Sequence, residues 1–169
     1  LTVGFMLPHA PYVARSEAYR YYDARITSPH IKQPPDHPFF DWWRDHTNII
    51  NVSDAEIHRS RAAYWALVTS VDAMIGQILD TLHANNLTEN TLIVYTSDHG
   101  DMVGEHGLWW KHTFYEHSVR VPLIVSWAGN VPAGERNSRL VSALDINATL
   151  LDAASAPVLP GSPGRSLIP

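Results

Sequence analysis

The sequence predicts an α/β protein with a largely parallel, mixed sheet flanked by helices. Three observations carry that prediction. Apolar runs of strand length lie at Leu1–Leu7, Thr91–Ser97 and Val121–Trp127, a single long segment between the first two repeats its apolar residues in steps of three and four, and turn chemistry follows each run. The order strand, long helix, strand, loop, strand, helix favours parallel strands joined by right-handed crossovers.

Taken in order, Leu1-Thr2-Val3-Gly4-Phe5-Met6-Leu7 is an apolar strand with no lead-in, the pattern of a piece of a longer polypeptide. Pro8-His9-Ala10-Pro11-Tyr12 follows, and the chain to about residue 52 mixes proline, aromatic residues and isolated charges, which is loop chemistry. Pro29, Pro34, Pro35 and Pro38 push their predecessors out of helix and leave room only for short turns, one of them a helical turn near Phe39–Arg44. Ser53-Asp54-Ala55-Glu56 is a capping box. Behind it Ile57, Tyr64, Leu67, Val68, Val71, Met74, Ile75, Ile78, Leu79 and Leu82 trace one face of a helix that runs to about His83 and stops at Asn85-Asn86. At about 1.5 Å per residue it spans roughly 45 Å. The Thr91–Ser97 run lacks strict alternation, as expected of a strand covered on both faces. Pro122 belongs at the first residues of the Val121–Trp127 strand, where a missing N–H is tolerated. Ser142-Ala143-Leu144-Asp145 is a second capping box opening a short helix through Ile146, Leu150 and Leu151, and Pro157–Pro169 is proline- and glycine-rich loop.

A chain of 169 residues with 45% hydrophobic content has enough apolar side chain for one core, so a single domain or a large part of one is expected. A net charge of -5 provides no basic field for nucleic acid, and the 10 histidines are scattered. With no cysteine there is no disulfide, thiolate metal site or cysteine nucleophile within these residues. No apolar run approaches the roughly 20 residues that cross a bilayer, so no membrane partner is expected. Asn51-Val52-Ser53, Asn86-Leu87-Thr88 and Asn147-Ala148-Thr149 match the N-glycosylation pattern, a match frequent by chance. Compartment is not legible.

The chemistry concentrates where strands end. In open α/β sheets ligands lie beyond the carboxyl ends of the strands, and both Pro8-His9 and Ser97-Asp98-His99-Gly100 fall there. Asp98 and His99 offer an oxygen and a nitrogen to a metal ion; Lys111, on the same loop, offers a positive charge to an oxyanion. Leu108-Trp109-Trp110 places aromatic mass beside that lysine and predicts a partly buried ammonium. Such a charge at about 4 Å in an effective dielectric near 20 is worth about 4 kcal/mol before desolvation. The bland alternative for Asp98-His99-Gly100 is a turn. His106 and Trp110 are candidate substrate contacts. Glu105, His106 and Glu116 have either ligand-bonding or solvent-facing roles, Tyr21, Tyr22, Trp42 and Trp43 are expected to pack on the long helix rather than line a pocket, and Arg120 is expected in a structural ion pair.

The run Thr96-Ser97-Asp98-His99-Gly100-Asp101-Met102-Val103-Gly104-Glu105-His106-Gly107-Leu108-Trp109-Trp110-Lys111, followed by Phe114-Tyr115-Glu116-His117-Ser118-Val119-Arg120-Val121-Pro122-Leu123-Ile124-Val125, resembles the type I sulfatases of the alkaline-phosphatase-like superfamily. Pro8-His9-Ala10-Pro11-Tyr12 is similar to the family's histidine loop, and Leu144–Asp152 with Gly164-Arg165-Ser166-Leu167 resembles its later landmarks in the right order. Choline-sulfatase-like and iduronate-sulfatase-like members are the most similar. The resemblance implies that Asp98 and His99 ligate a divalent cation, usually Ca2+, with Mn2+ or Zn2+ also compatible with a histidine nitrogen. It implies that Lys111 and His9 hold the sulfate oxygens and that one of them assists departure of the alcohol. The substrate would be a sulfate-ester small molecule or sugar.

Two parts of the family pattern are missing. Its formylglycine nucleophile arises from a Cys/Ser-x-Pro-x-Arg motif and its first metal ligands are paired aspartates on an N-terminal strand; neither is present, and Ser162-Pro163-Gly164-Arg165 is only an echo in the tail. Residues 1–169 are therefore expected to be the C-terminal portion of a sulfatase catalytic domain, completed by the remainder of the parent chain and inactive alone. The rivals are a phosphodiesterase or phosphonate monoester hydrolase of the same superfamily, and a non-catalytic, degenerate module.

Overall fold

The computed structural model describes residues 1–168. Its helices are α1 (Ser16–Asp23), α2 (Pro38–His46), α3 (Asp54–Ala84), α4 (Glu116–Val119) and α5 (Ala143–Ala153), and its strands are β1 (Ile93–Thr96) and β2 (Leu123–Ser126). The chain divides into two compact units. The first joins Leu1–Asp80 with His99–Arg120, and the second joins Thr81–Asp98 with the chain from Val121 onward.

In the first unit the Ser53–Glu56 capping box forms as expected: Ser53 N–H donates to the Glu56 carboxylate at 2.8 Å, and Glu56 N–H donates to the Ser53 hydroxyl at 3.3 Å. Behind that cap α3 extends over 31 residues and buries Ala62, Ala63, Ala66, Leu67 and Val71. Small residues at helical spacing let other chain segments approach closely. By length and composition alone α3 is long and apolar enough to cross a membrane, a correction to the expectation that no segment qualifies: its apolar content is interleaved with polar residues and forms no uninterrupted run. Ile57 and Tyr64 of α3 pack instead on a core of Ile49, Val103 and Trp109. Two helices precede it: α2 extends the helical turn expected near Phe39–Arg44, and α1 forms where loop was expected. Pro38 opens α2, and its Phe39 N–H is capped by His37 Nδ1 at 3.1 Å. The extra helix α1 occupies the proline-free interval between Pro11 and Pro29, and its Tyr22 packs on Trp65 of α3 and bonds Thr69.

In the second unit β1 and β2 pair antiparallel, Ile93 opposite Ser126 and Thr96 opposite Leu123. The parallel arrangement expected from the sequence is not formed by this pair. Between them lie a loop, a single 3-10 turn and the four-residue α4, too little helix to cover a sheet face on a crossover, so β2 returns against β1. Leu1–Leu7 forms no strand: Leu7 lies in a turn closed by His9 N–H to the Met6 carbonyl, no neighbour among the described residues supplies a hydrogen-bond ladder, and Leu1, Val3 and Met6 stay exposed. The fold class is nonetheless α/β, with a short two-stranded antiparallel sheet beside five α-helices among the described residues. Ser142 caps α5 in the expected box, and the Asp145 carboxylate accepts from Arg165 N–H at 2.9 Å and Ser142 N–H at 2.8 Å. Those two bonds, Arg165's first, hold the Asp145 carboxyl below the usual carboxylate range. Ser162-Pro163-Gly164-Arg165 is thus a structural tie, and a side chain on Gly164 would run into the Leu144 carbonyl.

Candidate active site

The loop from His99 to Lys111 is built from backbone that glycine and unusual φ angles make possible. Gly100 N–H donates to the Ser118 carbonyl at 2.7 Å, and a Cβ at Gly100 would collide with the His117 carbonyl. Ser118, itself buried, donates its hydroxyl to the Lys111 carbonyl at 2.6 Å and so fixes the lysine backbone. Inside the loop Met102 N–H donates to Trp110 at 2.8 Å and Gly104 N–H to Leu108 at 2.9 Å, while the Met102 and Leu108 side chains fill the interior. Three non-glycine residues sit at positive φ: Val103 at 40°, His106 at 56° and Trp110 at 63°. Each such residue costs on the order of 1–3 kcal/mol and persists only when its surroundings over-determine it.

Those surroundings rest on two carboxylates. Glu105 is buried and accepts from His30 N–H at 3.0 Å, Ile31 N–H at 3.3 Å and the Arg61 guanidinium at 3.4 Å. It faces neither solvent nor ligand, contrary to both roles considered from sequence; adjacency to the site in sequence hid a side chain that turns inward. Asp101 accepts from Val103 N–H and Trp110 N–H, each at 3.0 Å, and from the Tyr12 hydroxyl at 2.7 Å. Burial, then the Asp101 carboxylate, pushes the Tyr12 phenol well above its ordinary range, so it remains a donor at any physiological pH. Neither Asp101 nor Tyr12 stands out in the sequence, although an aspartate two residues before a backbone N–H it can bond is a turn signal.

On this frame three candidate residues meet. Lys111 Nζ lies 2.8 Å from His99 Nε2, and the His9 and His99 rings are 6.4 Å apart at 68°. His99 Nδ1 lies 2.7 Å from the Gly100 carbonyl and His9 Nδ1 lies 2.7 Å from the Ala10 carbonyl. The partners assign the Nδ1–H tautomer to both rings: each Nδ1 donates to a carbonyl, and His99 Nε2 accepts from the ammonium. Lys111 is half-buried and His9 exposed, so both the ammonium and the imidazole can be reached from solvent. Asp98 ends the second unit's first segment, exposed, with its Oδ1 3.4 Å from the Ser97 hydroxyl, and is peptide-bonded to His99.

Asp98 and His99, the metal ligands expected from sequence, are one carboxylate and one imidazole adjacent in the chain. No group of three or more histidines, aspartates or glutamates gathers among the described residues, so they do not complete a shell by themselves. The candidate substrate contacts are placed as follows. His106 stacks on Tyr115 at 4.0 Å and 15°, and half-buried Trp110 makes an edge contact with Trp43 at 6.4 Å. Trp43 also touches His112 at 4.4 Å and joins the Ile49 core, whereas Trp42 is 55% exposed and stacks on His46 rather than on α3. Arg120 pairs with Glu116 at 3.6 Å, the structural role expected.

Residues 1–156 match the family model described as Sulfatase. The chain belongs to the sulfatase family. It is 37% identical to the choline-sulfatase of Rhizobium meliloti (strain 1021), over all of this chain and 34% of that protein. Among solved structures it is similar to the phosphonate monoester hydrolase SpPMH from Silicibacter pomeroyi, with a TM-score of 0.84 and 30% identity over 95% of this chain and 34% of that one. It is also similar to BT4656, solved with its substrate D-glucosamine-2-N,6-O-disulfate, with a TM-score of 0.66 and 31% identity over 77% of this chain and 27% of that one. This sulfatase-family chain therefore spans about a third of the relatives' length. In it, His9, His99 and Lys111 come together within the first unit.

Proposed function

We propose that the intact protein carrying this chain hydrolyses a sulfate ester, and that residues 1–169 form the C-terminal part of its catalytic domain. The observation that carries this reading is the ammonium of Lys111, 2.8 Å from His99 and on the same frame as His9. In it Lys111 holds sulfate oxygens and draws charge from the transferring sulfuryl group, worth most where water is excluded. His9, with Nδ1 tied to Ala10, keeps Nε2 for the substrate and, once protonated, donates to the oxygen of the departing alcohol. Asp98 and His99 would supply two ligands to a divalent cation, Ca2+ first and Mn2+ or Zn2+ next, His99 through Nε2 in exchange for its bond from Lys111, and the cation would supply Lewis-acid polarisation of the ester. The nucleophile, a formylglycine by family resemblance, comes from elsewhere in the protein, since residues 1–169 hold no Cys/Ser-x-Pro-x-Arg motif. A sulfated sugar or another small sulfate ester fits the relatives.

A second reading, a phosphonate monoester hydrolase, is supported by the fold match to SpPMH. Turnover of the full-length protein on choline sulfate, an aryl sulfate, a sulfated glucosamine and a phenyl phosphonate monoester separates the two. The first reading expects a higher kcat/KM on at least one sulfate ester than on the phosphonate. Preference for the phosphonate transfers the assignment to the second reading, and no turnover of any of them leaves a non-catalytic module.

A further inference from the structure

We propose that Asp101 is a positioning residue, cross-braced by Tyr12, that sets the placement of His9 relative to His99 and Lys111. The inference rests on the hydrolase reading for its kinetic test but on geometry for its argument. Asp101 Oδ1 accepts the N–H groups of Val103 and Trp110, two of the loop's three non-glycine residues at positive φ. A β-branched valine at φ 40° is conformationally unfavourable, so the bond to its N–H selects a backbone that the sequence would otherwise leave. Trp110 immediately precedes Lys111, and His99 lies two residues before Asp101, so one carboxylate fixes both ends of the segment bearing the two candidate groups. The other oxygen, Oδ2, accepts from Tyr12, three residues beyond His9. Tyr12 is itself seated between Tyr64 at 5.9 Å and Trp109 at 6.3 Å, so its hydroxyl reaches the carboxylate from a packed ring. This side-chain hydrogen bond ties the His9 segment to the 99–111 loop. Burial keeps Tyr12 protonated, which keeps the brace closed across pH.

The test compares Tyr12→Phe, Asp101→Asn and the double variant in the full-length protein, using whichever ester the wild type turns over. Because a misplacement of about 1 Å costs roughly 100-fold in rate, each single change is expected to lower kcat by about 10- to 100-fold while KM moves less than about threefold. Since Tyr12 acts through Asp101, the double variant should be no slower than the slower single one. Multiplying effects, or a loss of thermal stability with kcat unchanged, would overturn the proposal. A crystal structure of Tyr12→Phe gives a readout that needs no turnover: the His9 ring should shift from its wild-type position relative to Lys111. An unmoved ring overturns the brace even if the protein hydrolyses nothing, whereas a moved ring with no wild-type turnover leaves the brace standing and removes the hydrolase reading.

Discussion

Lys111→Ala in the intact protein is expected to lower kcat by about 100- to 1,000-fold, the usual consequence of deleting one donor aimed at developing negative charge. The side chain is half-buried and its backbone is fixed by Ser118, so the ammonium is held rather than sampled. Its ammonium bonds His99, and the ring does not need that bond to remain seated, because His99 Nδ1 keeps its bond to Gly100. The unfolding midpoint should therefore change little. His9→Ala acts in the same direction through the leaving group, with a smaller loss for substrates whose alcohol departs readily, such as nitrophenols. Steady-state rates across a series of leaving groups distinguish the two roles; near-wild-type turnover by Lys111→Ala removes it from the mechanism.

Glu105→Ala is expected to cost about 3–5 kcal/mol of stability, the range for breaking a buried ion pair from one side. Glu105 is 3% exposed and Arg61 12% exposed, so the guanidinium and the N–H groups of His30 and Ile31 lose their acceptor with little water to replace it. Arg61 keeps carbonyl partners at Thr27 and Val103, which limits the loss. The neighbouring His106 N–H also bonds Ile31, so the 25–32 segment and the site loop should loosen together. Denaturant unfolding measures the difference, and a cost below about 1 kcal/mol would show that Glu105 does not hold this turn.

Local signals were legible where short-range chemistry decides the outcome. Both capping boxes form, α3 ends within a residue of His83, and both apolar runs that have a partner become strands. Strand direction was not legible, since antiparallel pairing of β1 and β2 depends on where the intervening chain packs and not on either run's own pattern. Leu1–Leu7 shows the same limit from the other side: apolar content makes a strand possible, but only a neighbour makes it one. α1 was hidden because aromatic residues are indifferent helix formers and the surrounding prolines suggested loop.

In the site, His9, His99 and Lys111 were legible from residue type and from their place at the ends of apolar runs. Their bracing was not. Asp101, Glu105 and Tyr12 are ordinary residues in sequence, and only the fold shows that Asp101 bonds backbone at unfavourable φ and Glu105 is buried among donors. Trp42 was misread because helical spacing does not reveal which face of a nine-residue helix is covered.

The most direct measurement is a crystal structure of the full-length protein with sulfate bound. The account predicts sulfate oxygens within hydrogen-bond distance of Lys111 Nζ and His9 Nε2, beside His99. Sulfate bound elsewhere, with Lys111 and His9 making no contact to it, would contradict the account.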